Sequence, residues 1–137
     1  MEQPFLNAIY SNIHHKNFIM TFCAPELKAE YLTECLIEVV NNQWKVNAIE
    51  SNRAAYHQLE MEVCRKYIKV WELFIRDGIK NDLDISRSCF MFIDKESGAC
   101  YKPASFKAPA KGIRFQIEQL VDQPEIVDPY GSFLYVR

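Results

Sequence analysis

Glycine is scarce in this chain, four in 137 residues, and no stretch is of low complexity. Long flexible linkers are therefore excluded, and disorder is not expected away from the termini. No apolar run approaches the ~20 residues that a membrane-spanning helix needs. The N-terminus lacks the basic start and long apolar run of a secretory signal. Cysteine is present, at Cys23, Cys35, Cys64, Cys89 and Cys100, but the number is odd and no CxxC, zinc or haem spacing occurs. Free, mostly buried thiols in a reducing cytoplasm are the expectation. Also missing are the GxGxxG, P-loop and GxSxG signatures, which leaves no recognised phosphate cradle or nucleophile elbow.

What is there suits one globular domain. Apolar residues make up 49% and aromatic residues 13% of the chain, enough large side chains to fill a core. The formal net charge is -2, too small to make the whole surface an attractor of polyanions. Its distribution is more informative. Between residues 99 and 117 the charged side chains are Lys102, Lys107, Lys111 and Arg114, with no acid; Glu118, Asp122, Glu125 and Asp128 follow with no base.

The clearest periodic element covers residues 25–42. Pro25 suits a first helical turn, and Glu26 suits the positive end of the helix dipole. Leu27, Tyr31, Leu32, Cys35, Leu36, Val39 and Val40 recur at helical spacing, while Lys28, Glu30, Glu34 and Glu38 lie off that stripe. Asn41 and Asn42 mark its expected end, and Ser51 is placed to cap a shorter helix through Arg53 to Tyr56. The apolar run at residues 18–22 is too short to assign.

From Leu59 the period becomes two. Leu59, Met61 and Val63 alternate with Glu60 and Glu62, residues 67–75 are rich in β-branched and aromatic side chains, and Asp77-Gly78 signals a turn. Residues 88–93 read as a buried strand, 94–98 as a polar turn and 99–102 as a returning strand. Short gaps imply hairpins, hence an antiparallel meander of three or four strands over residues 58–102. Pro103 and Pro109 bracket a loop, a second helix is expected from about Lys111 to Asp122, and residues 133–136 read as a final strand. The fold class is α+β: an N-terminal amphipathic helix and a shorter C-terminal helix packed with the meander.

Catalytic and metal chemistry find little support. His14 and His15 are adjacent, so on a regular element they point apart; together with His57 they are expected at the surface, and neither metal nor cofactor is expected. Glu60 and Glu62 share one strand face, the usual arrangement of a solvated surface. Cys64, Cys89 and Cys100 lie in strand-like stretches where cysteine serves as a small hydrophobe.

The basic segment is the best candidate site. From Tyr101 to Phe115 it interleaves Lys102, Lys107, Lys111 and Arg114 with Tyr101, Phe106 and Phe115, and prolines stiffen its path. Cations neutralise phosphates and aromatic faces stack on unpaired bases. Arg65, Lys66 and Lys69 extend the patch if the strands bring them together. The bland alternative is a proline-ordered loop kept soluble by its lysines.

Four blocks carry a family likeness: Arg65-Lys66-Tyr67-Ile68-Lys69-Val70, the turn Asp94 to Gly98, the block Tyr101-Lys102-Pro103-Ala104-Ser105-Phe106-Lys107-Ala108-Pro109-Ala110-Lys111-Gly112-Ile113-Arg114, and Tyr130 to Tyr135. In these the second half of the chain resembles small proteins of undefined role encoded by tailed bacteriophages, with Phe106 where tryptophan is commoner. The resemblance implies a phage origin and, with it, a place in the host cytoplasm. Two readings remain open. One is a non-enzymatic binding protein that contacts nucleic acid through the basic segment. The other is a protein-interaction module, virion-associated or inhibiting a host or defence factor, with the Leu27–Val40 helix and the aromatic C-terminus as its adhesive surfaces.

Overall fold

A long helix lies across one face of an antiparallel sheet in the computed structural model, which describes residues 25–76, 79–80 and 87–135. Helix α1 spans Pro25–Glu50. Its buried side chains Leu32, Leu36, Val40, Trp44 and Ala48 repeat every fourth residue and face the sheet. The helix therefore runs eight residues beyond the expected end at Asn42, because Trp44 and Ala48 continue the stripe.

Asn41 does not stop the helix. Its side-chain amide donates to the Leu59 carbonyl at 2.9 Å and accepts from the Leu59 N–H at 2.8 Å. The true end is a Schellman motif. Asn52 takes the left-handed conformation at φ 56, the Arg53 N–H reaches the Ala48 carbonyl, and the Asn52 N–H reaches that of Ile49. Ser51 thus belongs to a C-terminal cap, and the short helix expected through Tyr56 is instead the start of a strand.

The strands are β1 Ala55–Val63, β2 Tyr67–Arg76, β3 Ile79–Lys80, β4 Ser88–Asp94, β5 Ala99–Tyr101 and β6 Phe115–Gln116. The sheet runs β1-β2-β4-β5-β6, antiparallel at every pairing, and the two-residue β3 pairs with the far end of β2. The α+β class and the order of helix, sheet and short helix are as expected, but the main path holds five strands where three or four were expected. The additional strand is β6, which lies inside the segment assigned to the second helix. The Arg114 N–H pairs with the Cys100 carbonyl and Phe115 with Cys100, so this stretch is extended, and the helix α2 covers only Ile117–Asp122.

Side chains on the helix side of the sheet, among them Leu59, Ile68, Val70, Met91, Ile93 and Cys100, meet α1 together with Ile117 and Leu120 of α2. Between β2 and β4 the register slips at Val70/Trp71, so that Phe90 is the extra residue and packs into the same core. The β4–β5 turn is built as its sequence suggests. The Asp94 carboxylate accepts the N–H groups of Glu96 and Ser97, and Gly98 sits at φ 74. A Cβ at Gly98 would stand 3.0 Å from Ile117 Cγ2, so the position needs glycine twice over.

Residues 133–135 do not form the expected strand. Ser132–Tyr135 form a 3-10 turn that buries Phe133 and Leu134. The carboxylate of Asp128 draws in the N–H groups of Tyr130, Ser132 and Phe133, and this coils the backbone where alternation alone suggested extension. The 18–22 run, His14-His15, Cys23, the Asp77-Gly78 turn and Val136 lie outside the described residues.

Candidate nucleic-acid interface

Residues 102–114 form a narrow projecting loop. Pro103 and Pro109 face one another as an isolated bridge, the Ala110 N–H reaches the Lys102 carbonyl at 2.7 Å, and the Ala104 and Ser105 N–H groups both reach the Ala108 carbonyl. The tip carries Phe106, with 59% of its surface exposed. The Lys107 ammonium lies 5.5 Å from the centre of that ring. Lys111 is exposed just before Gly112, which at φ 98 turns the chain back towards β6.

The four cations of this segment divide by role. The Arg114 guanidinium donates through Nε to the Leu134 carbonyl at 2.6 Å and through Nη1 to the Gly112 carbonyl at 3.2 Å. It clamps the loop base to the C-terminal turn. The Lys102 ammonium lies 4.3 Å above the Tyr135 ring. Lys107 and Lys111 are left facing solvent.

The remaining candidate cations do not join them. Arg65 and Lys66 sit in the β1–β2 turn, beside the Tyr67–Asp94 pairing, at the opposite end of the strands from the loop. The Lys66 carbonyl there accepts the Lys95 N–H. Lys69 lies on the sheet face away from α1, near both the Trp71 and Phe92 rings, at 5.8 and 5.7 Å from their centres. The strands pair as the sequence suggests, yet antiparallel geometry carries this basic turn away from the loop.

Beside the loop base lies a cleft of about 690 Å³ between α1 and residues 124–130. Its walls include Trp44, His57, Phe74 and Tyr130. His57 is not the surface histidine expected from sequence. Its Nδ1 is buried and lies 3.2 Å from Glu72 Oε1, within ion-pair distance but outside good hydrogen-bond alignment. Burial raises the Glu72 carboxyl above its ordinary range; His57 opposes the rise and Asp128 adds to it. Burial acts on Asp128 in the same sense, but its hydrogen bonds from Ser132, Phe133 and Tyr130 prevail and hold it low.

Burial disfavours the thiolate at Cys89 and Cys100. Cys35 and Cys100 are buried, and Cys64 and Cys89 half-buried. Burial pushes the Cys89 thiol up to about 11 despite the pull of Lys69 and Arg87. Burial, with Glu118 adding to it, raises Cys100 further. Glu62 is engaged as acceptor for the Trp71 indole N–H at 2.9 Å. Among the described residues, no group of three His, Cys, Asp or Glu side chains is placed to hold a metal ion, and no helix is long and apolar enough to cross a membrane.

The profile of a family of unknown function, DUF7717, matches residues 12–136. The chain belongs to that family. The match covers both halves, so the α1 segment is as much a part of the family unit as the basic loop. No curated protein and no solved structure matches the chain significantly.

Sequence reasoning found the loop but missed the cleft, whose walls come from α1, β1, β2 and residues 124–130. The one available signal was the Tyr130-to-Tyr135 block, whose buried members hide among exposed ones.

Proposed function

We propose that this is a small phage-encoded binding protein, without chemistry of its own, that contacts single-stranded nucleic acid in the host cytoplasm through residues 102–111. The observation that carries the reading is the loop tip. A large aromatic face stands in solvent beside Lys107, with Lys111 exposed nearer the loop base, on a loop held closed by the Pro103–Pro109 bridge and clamped by Arg114. An exposed ring on an ordered loop offers a stacking surface that loses little freedom on binding. The phage assignment rests on the sequence blocks given above. For the protein-interaction reading, the Leu32–Val40 part of its Leu27–Val40 surface is core, while Leu27 is 50% exposed.

Fluorescence anisotropy with labelled single-stranded oligonucleotides across a salt series tests the proposal. Binding is expected at low salt and should weaken as salt rises, because each neutralised phosphate releases condensed counterions. The double variant Lys107→Glu, Lys111→Glu should lose binding and keep its fold. Phe106→Ala should weaken binding by ~1–3 kcal/mol with an unchanged melting temperature. Absence of binding by the wild-type protein at low salt, or a Phe106→Ala variant that melts early, would overturn the reading.

A further inference from the structure

The loop is one end of a longer row of exposed rings and cations. A small hollow lined by Lys102, Pro103 and Tyr135 shares Pro129 and Tyr130 with the large cleft. The cleft in turn shares Arg53 and Ala55 with a shallow hollow that reaches Arg76. Along this path Tyr135 is 66%, Tyr130 82% and Phe74 38% exposed. His57 joins the last two, its ring 5.7 Å from that of Tyr130 and 5.2 Å from that of Phe74, both edge to face. Cations alternate with the rings: Lys102 over Tyr135, Arg76 at 6.0 Å from Phe74, and Arg53, exposed and without an ion pair among the described residues.

We propose that a single strand held by the loop continues over Tyr135 and Tyr130 into the His57 cleft, where one unstacked base lodges and Arg53 and Arg76 receive phosphates. The proposal rests on the loop reading. It adds a second subsite with its own residues.

Several features suit a base better than a purely apolar ligand. Gln43 and Asn47 line the cleft from α1, and Gln43 Nε2 donates to Asn47 Oδ1 at 3.0 Å. The other amide atoms, one acceptor and one donor, are left for a ring edge, the pairing that Asn and Gln use on bases. Aromatic walls supply stacking faces. The acids along the path are largely engaged. Glu72 faces His57, and Asp128 accepts from the backbone of the C-terminal turn. Glu125 on the rim is exposed and opposes the approach of phosphate.

The test compares labelled oligodeoxynucleotides of about four and about sixteen nucleotides, the range over which compact single-strand sites are filled. Three proteins are measured beside wild type: Tyr130→Ala, the pair Arg53→Ala, Arg76→Ala, and the loop pair Lys107→Glu, Lys111→Glu. The long oligonucleotide should bind more tightly than the short one. Tyr130→Ala should weaken the long complex by roughly five- to hundredfold and leave the short one unchanged. The arginine pair should lower the salt slope of the long complex by about 1.4, roughly 0.7 for each single-strand phosphate no longer neutralised. Equal affinity for both lengths, with Tyr130→Ala silent and the loop pair still damaging, overturns the extension and leaves the loop reading standing. A silent loop pair, with Tyr130→Ala damaging at both lengths, removes the loop reading and overturns the path as drawn. Tyr130 and both arginines are exposed, so none of these variants endangers the core.

Discussion

Along α1, every fourth apolar side chain from Leu32 to Ala48 meets the same fate, burial against the sheet. Along the basic loop, side chains of one chemical type meet three different fates. Arg114 becomes a clamp, Lys102 lies on an aromatic ring, and Lys107 and Lys111 face solvent. A helix repeats its geometry each turn, so one residue predicts the next. A loop has no repeat, and each position is decided by whichever partner the rest of the fold delivers.

The contrast can be broken from its strongest side first. Leu36, 1% exposed in the centre of the stripe, should lose ~2–5 kcal/mol on replacement by alanine, read as a shifted midpoint in a urea melt. A change below ~0.5 kcal/mol, the surface range, would place the stripe outside the core.

Arg114→Ala should cost about 1–3 kcal/mol, since it removes a charged donor from the Leu134 carbonyl. Arg114→Lys should fare little better, because an ammonium cannot hold both carbonyls as the guanidinium fork does. If Arg114→Ala melts like wild type, the division of the loop cations is wrong.

Asp128→Ala should cost roughly 0.5–2 kcal/mol at neutral pH, the range seen when a capping side chain is lost. The sign of its pH dependence follows from the lowered folded pKa. An acid held below its unfolded value of about 3.9 stabilises the fold above that pH, and the contribution disappears as pH falls through the folded value. Wild-type and variant melting temperatures should therefore converge in acid; a gap that stays constant from neutral pH down to about pH 2 would count against the carboxylate as the holder of this turn. The smallest effect on stability is expected of Lys107→Glu with Lys111→Glu, within ~0.5 kcal/mol by thermal melt, although the same pair should abolish oligonucleotide binding.

How much was legible in the sequence divides along the same line. The stripe from Leu32 to Val40, the buried strand at residues 88–93 and the Asp94–Gly98 turn each rest on local periodicity or local turn chemistry, and each is where the sequence places it, although Leu27, read as the start of that stripe, is 50% exposed. The errors share a different cause. Asn41 resembles a helix terminator, but its amide has a distant partner, Leu59 in β1. Ser51 resembles an N-cap, yet Asn52 beside it adopts the left-handed conformation that closes the preceding helix. Residues 133–135 have strand composition, but Asp128 coils them. Residues 111–116 have helical spacing, but β5 has a free edge that draws in Phe115. In each case the deciding contact lies outside what a periodicity argument can see. The same holds for the candidate site: the loop's composition was visible, whereas the distance of Arg65 and Lys66 from it follows from strand direction.

The amide of Asn41 has a bearing on self-association. Among the described strands β1 is outermost in the sheet, with one row of its backbone groups turned away from β2. Such a row is a template onto which a strand of another molecule can zip, the first step in domain exchange and fibril growth. By closing on both the N–H and the carbonyl of Leu59, Asn41 fits a plug midway along that row. A single polar side chain on the core helix thereby doubles as a guard against recruitment by copies of itself.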